Sequence, residues 1–302
     1  MMNFNEFANE VVEVLKTKYY SQENYDVTLE EVHKNNVDKL AVVIAAKQRG
    51  AIVVPMIYME GFYEMYKDGT SCESLVEEIV SIYESNKIPE SVADCAQLFS
   101  SFDTCKSLLT LCLVNESSEH YYNDCIVRDH VMGKVIVMLR LEDFLRDGAA
   151  STRVTKELLN KWNVSEEEVY AIAQKNCVDN CKCEGIIVCA SGLLEDDGTM
   201  DLSDMGEGML YYFCDGNRHT YGASAVLVPG VLEKVYERVG TPFFVLPCSV
   251  HKLLVVSETL NMDVDDLYLM VREVNHDICE ENPEDVLSYK VFFYDGKELT
   301  VA

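Results

Sequence analysis

Two groups of residues in this chain have the side chains and spacing that chemistry requires. Cys177, Cys181, Cys183 and Cys189 run as C-x3-C-x-C-x5-C. Thiolates are soft ligands, and four of them can close a tetrahedral zinc site. Structural zinc sites usually bring their ligands as C-x2-C pairs, which this spacing lacks. Cys189 also ends an apolar run, Gly185–Val188, that reads as a buried strand. The spacing admits a soft-metal module or incidental thiols at a helix end, and the second fits it better. Ser249 and His251 stand in a turn between two strand-like runs, beside Pro247 and Cys248. A serine or cysteine nucleophile needs a base held by a third group. Residues two apart on extended backbone share a face but rarely bond each other, and no G-x-S-x-G elbow occurs. The pair reads either as a hydrolase or transferase site whose acid the fold supplies, or as a turn that caps its own backbone.

Other chemistry-bearing residues are less ordered. Glu195, Asp196, Asp197, Asp201, Asp204 and Glu207 could offer oxygens to calcium, but the alternating order and terminal glutamate of an EF-hand loop are absent. A solvated charged linker is the simpler reading. His276 and Asp277 are expected after a helix C-terminus, where the dipole favours a cation. His33, His120, His130 and His219 lack metal spacing. Neither glycine-rich phosphate loop is present, so no cofactor is implied. Tyr58, Phe62, Tyr63 and Tyr66 fall at roughly helical spacing between a strand and a capped helix. They read as core packing or as an aromatic contact surface, since tyrosines mark protein interfaces.

The balance of charge narrows what these groups could meet. With 52 acidic and 25 basic residues the formal net charge is −27. Binding to nucleic acid or to anionic lipid relies on lysine and arginine displacing counterions, so neither partner is expected. A basic protein partner or a cation remains compatible. Residues 191–302 hold 21 acids against 7 bases, so the negative charge is densest there. No basic n-region opens the chain and no uncharged run is long enough to span a bilayer. Twelve cysteines in such a chain are expected to be reduced, small and apolar, in a cytoplasmic setting.

Positioning falls to an α+β fold with mostly antiparallel sheets in two lobes. Residues 4–20 repeat apolar side chains at helical period. Strands are expected at Val27–His33, Leu40–Ala46 and Ile52–Tyr58, then a helix opened by a Thr70–Glu73 capping box. Ser107–Asn115 and Val131–Leu141 read as strands, and Ser165–Glu168 as a second capping box. The acidic, glycine-containing stretch 190–208 divides an N-terminal lobe (1–189) from a C-terminal one (209–302). The latter is expected to hold strands at Met209–Cys214, Ala223–Leu227, Phe243–Leu246 and Lys252–Val256. It adds helices at Pro229–Val239 and from an Asp263 cap, and an Asp295-Gly296 hairpin joining Val291–Tyr294 to Glu298–Val301.

Several segments carry a resemblance. Ile57–Gly69 with Leu75–Val80, and Val164–Asn176, resemble signatures of an uncharacterised family of anaerobic gut-bacterial cytosolic proteins. Phe244–His251, Met270–Asn275 and Pro283–Ser288 match in order and spacing. The C-terminal part is similar, more remotely, to the uncharacterised YtpQ-like proteins. The resemblance implies a cytosolic bacterial setting and transfers no reaction, cofactor or catalytic residue. The cysteine-rich stretch after Asn176 is not part of it. The expectation is therefore a non-catalytic protein-binding or adaptor protein, with Ser249/His251 hydrolysis and a metal module at Cys177–Cys189 as alternatives.

Overall fold

The computed structural model describes residues 1–47, 56–85, 99, 101–140, 151–180, 187–189, 210–213 and 221–302. It divides into two compact units, Met1–Thr104 and Cys105–Ala302. The stretch 190–208, expected to separate two lobes, lies outside the described residues.

The first unit opens with α1 (Phe4–Val14), started by a reciprocal capping box. Asn3 Oδ1 accepts from Glu6 N and Glu6 Oε2 from Asn3 N, both at 2.9 Å. Its stripe of Phe7, Ala8, Val11 and Val12 is buried, and the helix continues into a π turn, Leu15–Tyr19. Strands β1 (Tyr25–Lys34), β2 (Val37–Ala46) and β3 (Met56–Tyr58) form an antiparallel sheet in that order. Asn36 turns β1 into β2 at φ 69°, a left-handed position asparagine tolerates. Two helices, α2 (Glu60–Lys67) and α3 (Cys72–Ser85), follow. The cap of α3 is Ser71, whose Oγ accepts from Ser74 N at 3.2 Å, one residue beyond the Thr70 expected from the sequence. Both residues can cap; Thr70 N–H instead closes the end of α2 on Met65 O at 3.0 Å. Leu75, Val76 and Ile79 of α3 are fully buried with Val42, Ile44 and the α1 stripe. Burying each such side chain is worth about 1.5–3 kcal/mol.

Among the described residues, the second unit holds two antiparallel sheets. A helical turn, α4 (Phe102–Cys105), leads to β4 (Leu109–Val114). Then come α5 (Glu119–Tyr122), β5 (Val127–His130), β6 (Gly133–Arg140), β7 (Ser151–Arg153), α6 (Lys156–Trp162) and α7 (Glu166–Asn180). β6 is central, with β4 on one side and both β5 and β7 on the other. Ser165 Oγ caps α7, accepting from Glu168 N at 3.2 Å, as the sequence indicates. The other sheet has the order β13-β12-β10-β11-β9-β8, built from β8 (Ile187–Cys189), β9 (Leu210–Phe213), β10 (Phe243–Pro247), β11 (Leu253–Ser257), β12 (Phe292–Tyr294) and β13 (Leu299–Val301). Helix α8 (Val231–Val239) precedes β10. Helix α9 (Val264–Glu281) packs Leu267 and Val271 against Leu246, Leu254, Val256 and Val291.

Three expectations in this unit are corrected. Ala223–Leu227 is not a strand but part of a 3-10 segment, Gly222–Leu227, buried from Gly222 through Val226. A continuous small apolar run suits either, since burial on all sides erases the periodicity that separates them. Pro229 lies outside α8, because Gly230 at φ 80° is the N-cap. His276 and Asp277 sit within α9 and not beyond it, as the helix runs to Glu281.

Candidate functional site

The site is built around the loop between β10 and β11. Cys248 N and Ser249 N both donate to Lys252 O at 3.1 Å, which closes the loop tightly. Ser249 Oγ accepts from His251 N at 3.0 Å, so the serine caps the turn and is itself buried. The imidazole turns away from it. His251 Nδ1 accepts from the backbone N–H of Tyr221 at 2.9 Å, and His251 Nε2 lies 3.1 Å from Asp285 Oδ1. An acceptor at Nδ1 places the proton on Nε2, which donates to Asp285. The same two segments are tied through backbone by Val250 N to Asp285 O at 2.7 Å. Ala223 N donates to Val250 O at 3.2 Å, which adds the 3-10 segment to the junction.

Asp285 comes from the short Pro283–Asp285 turn that follows α9, and nothing in local spacing links it to His251. The acid that a Ser–His site would need is therefore present. Both imidazole nitrogens are nonetheless engaged, one by a backbone donor and one by the carboxylate. Ser249 Oγ is held by a backbone N–H and not by the ring. In a serine hydrolase, by contrast, one nitrogen faces the nucleophile and the other faces the acid. Cys248 beside it is no readier: burial pushes its thiol up to about 11.

Behind the histidine lies a group that no motif in the sequence signals. The Tyr221 ring meets the His251 ring edge-on, with centroids 5.8 Å apart. Tyr221 takes up a left-handed backbone, φ 54°, and its hydroxyl interacts with the side chains of Tyr121 and Ser151. Burial drives the Tyr221 phenol far above its ordinary range and also raises that of Tyr121. Both are therefore neutral hydrogen-bonding phenols at physiological pH. Arg153 packs its guanidinium 4.6 Å from the Tyr121 ring centroid, donates to Tyr121 O, and lies 3.7 Å from Asp124. These residues come from α5, β7, the 3-10 segment, the β10–β11 loop and the turn after α9.

A second junction reinforces the first. Asn275 is fully buried on α9, and its Nδ2 donates to Val271 O at 2.9 Å, Ser288 O at 3.0 Å and Pro247 O at 3.4 Å. One side chain thus ties together α9, the strand end before the loop, and the segment after Asp285. These are the three C-terminal segments that carried the resemblance in the sequence.

The cysteine group divides. Cys181 and Cys183 lie outside the described residues, and Cys189 is on β8 opposite Tyr211. Cys177 Sγ accepts from Leu111 N at 3.2 Å and lies 3.3 Å from Thr110 Oγ1, on the free edge of β4. Among the described residues, no three His, Cys, Asp or Glu side chains are grouped to hold a metal ion. Glu195, Asp196, Asp197, Asp201, Asp204 and Glu207 also fall outside the described residues.

The aromatic run is split between two settings. Phe62 is buried in the core of the first unit. Tyr66 stacks on Phe7 at 4.9 Å and Tyr63 meets Phe4 at 5.3 Å. Tyr63 OH donates to Met2 O at 3.1 Å, and Met2 N to Tyr66 OH at 3.3 Å. Tyr58 stands apart from them, with Lys34 and Lys39 Nζ at 5.2 and 5.3 Å from its ring centroid. The structure gathers Tyr63 and Tyr66 around the α1 N-terminus and leaves Tyr58 with the lysines.

A family model described as a family of unknown function (DUF5688) matches residues 4–296. No curated protein and no solved structure matches the chain. Among the described residues, no helix is long and apolar enough to cross a membrane.

Proposed function

We propose, for a chain that belongs to the DUF5688 family of unknown function, that it is a non-catalytic binding or adaptor protein whose acidic surface engages a basic protein partner. One observation supports the non-catalytic half. The only nucleophile–base pair suggested by the sequence uses Ser249 Oγ, His251 Nδ1 and His251 Nε2 to hold backbone and Asp285. The net charge of −27 supports the binding half, because such a field draws in cationic surfaces and speeds their encounter. The reading carries with it a cytosolic bacterial setting and the YtpQ-like similarity of the C-terminal part.

The test is titration with a panel of cationic and anionic peptides of matched length, at low and high salt. The reading predicts saturable binding of cationic peptides that weakens steeply with salt, and none of the anionic ones. Equal binding of both signs, or of neither, would contradict it. A Ser249/His251 hydrolase is the second reading, favoured by the His251–Asp285 contact. Ester turnover abolished by both Ser249→Ala and His251→Ala would establish it in place of the first.

A further inference from the structure

The outer edge of β1 offers main-chain groups that no described strand pairs. Two contacts fix which groups these are. Leu40 O accepts from Met59 N at 2.9 Å, and Leu40 N donates to Glu60 Oε1 at 2.7 Å, so the even-numbered residues of β2 turn toward β3. Its odd-numbered residues therefore bond β1. In the register Ala41↔Glu30 and Val43↔Thr28, the even-numbered residues of β1 take those bonds. The N–H and C=O groups of Val27, Leu29 and Glu31 point the other way. β1 is an edge of its sheet, ten residues long, and has neither proline nor bulge along it. An edge of this kind is a template for an added strand.

Its side chains select the charge of such a strand. Asp26, Thr28, Glu30 and Glu31 are all exposed. Asp26 already meets Lys47 at 3.0 Å, and Glu30 Oε1 accepts from Thr28 Oγ1 at 2.9 Å, but among the described residues neither Glu30 nor Glu31 is in a salt bridge. The bases of this strand, His33 and Lys34, sit at its hairpin end. Side chains on an added strand would stand about 4.5–5.5 Å from those directly opposite, where opposite charges attract and like charges repel. We infer that β1 is the docking edge for an extended basic segment, which pairs its backbone with Leu29 and Glu31 and sets lysine or arginine opposite Glu30. This rests on the acidic-surface reading above and gives it a location.

The probe is a synthetic peptide alternating lysine with threonine or valine. Its control has the same sequence with alternate amide nitrogens methylated, which keeps every charge and removes the donors needed for pairing. Binding is followed by amide exchange and shifts of the Val27–Glu31 backbone in the full chain. The inference predicts protection of the Leu29 and Glu31 amides, at least about tenfold weaker binding of the methylated peptide, and loss of affinity in Glu30→Lys. Glu31→Pro, which removes one outward N–H and no ladder bond, should weaken binding to a similar degree. Because the methylated control leaves the protein unaltered, the outcome does not depend on how well Glu31→Pro folds. Equal affinity for both peptides would overturn the docking edge and leave the acidic-surface reading in place. No binding of either at low salt would overturn both.

Discussion

At the scale of single residues, buried polar side chains tie separate segments together. Asn275 is the clearest case, since one amide reaches three carbonyls, contributed by the end of β10, the segment after Asp285 and its own helix. Asn275→Ala removes the donors and leaves buried acceptors unmet. It should cost about 2–3 kcal/mol in denaturant unfolding, and Asn275→Asp more, because a carboxylate would face those same carbonyls. His130 carries a pH dependence. Burial lowers its pKa, and its Nδ1 accepts from Met132 N at 3.2 Å, which only an unprotonated Nδ1 can do. The folded state therefore binds this proton less readily than the unfolded chain. The stability concerned is complete above the ordinary histidine value and is lost as pH falls below it. Unfolding measured at several values between about pH 7 and 5 should show a steeper decline for the wild type than for His130→Asn.

At the scale of elements, the edge of β4 explains a cysteine that the sequence offers as a ligand. Leu111 N is met by Cys177 Sγ, Leu113 N by Ser224 Oγ at 2.8 Å, and Leu109 O by Asn176 Nδ2 at 2.9 Å. Side chains from α7 and the 3-10 segment thus complete a strand edge that no other described strand pairs. Ser224→Ala should cost about 1–3 kcal/mol and accelerate exchange of the Leu113 amide, because the donor is buried. Cys177→Ser, which keeps an acceptor, should cost less than Cys177→Ala. The α+β class, α1, the β4 and β6 strands, the Ser165 cap and the hairpin at Asp295 were all legible in the sequence, because each rests on local periodicity or turn chemistry. The Gly222–Leu227 segment was not, since a run buried on every side has no period. Nor was β5, four residues long and mostly polar. The site was half legible: Ser249 and His251 stand together in the sequence, while Asp285, Tyr221 and Tyr121 reach them only through tertiary structure.

At the scale of the whole molecule, the excess of carboxylates and the engagement of Ser249 and His251 bear on the same proposal, that this chain acts by binding and not by bond-making chemistry. On this proposal the acidity directs the chain to cationic partners. The state of His251 bears on the other half, and it can be read in the intact chain by nitrogen-15 NMR of the imidazole. The proposal predicts a neutral ring with its proton on Nε2, toward Asp285, and Nδ1 shifted by the hydrogen bond from Tyr221 N–H, a signature unchanged in Ser249→Ala. A ring protonated on Nδ1, with Nε2 as an acceptor whose shift moves in Ser249→Ala, would place the histidine on the serine and contradict it.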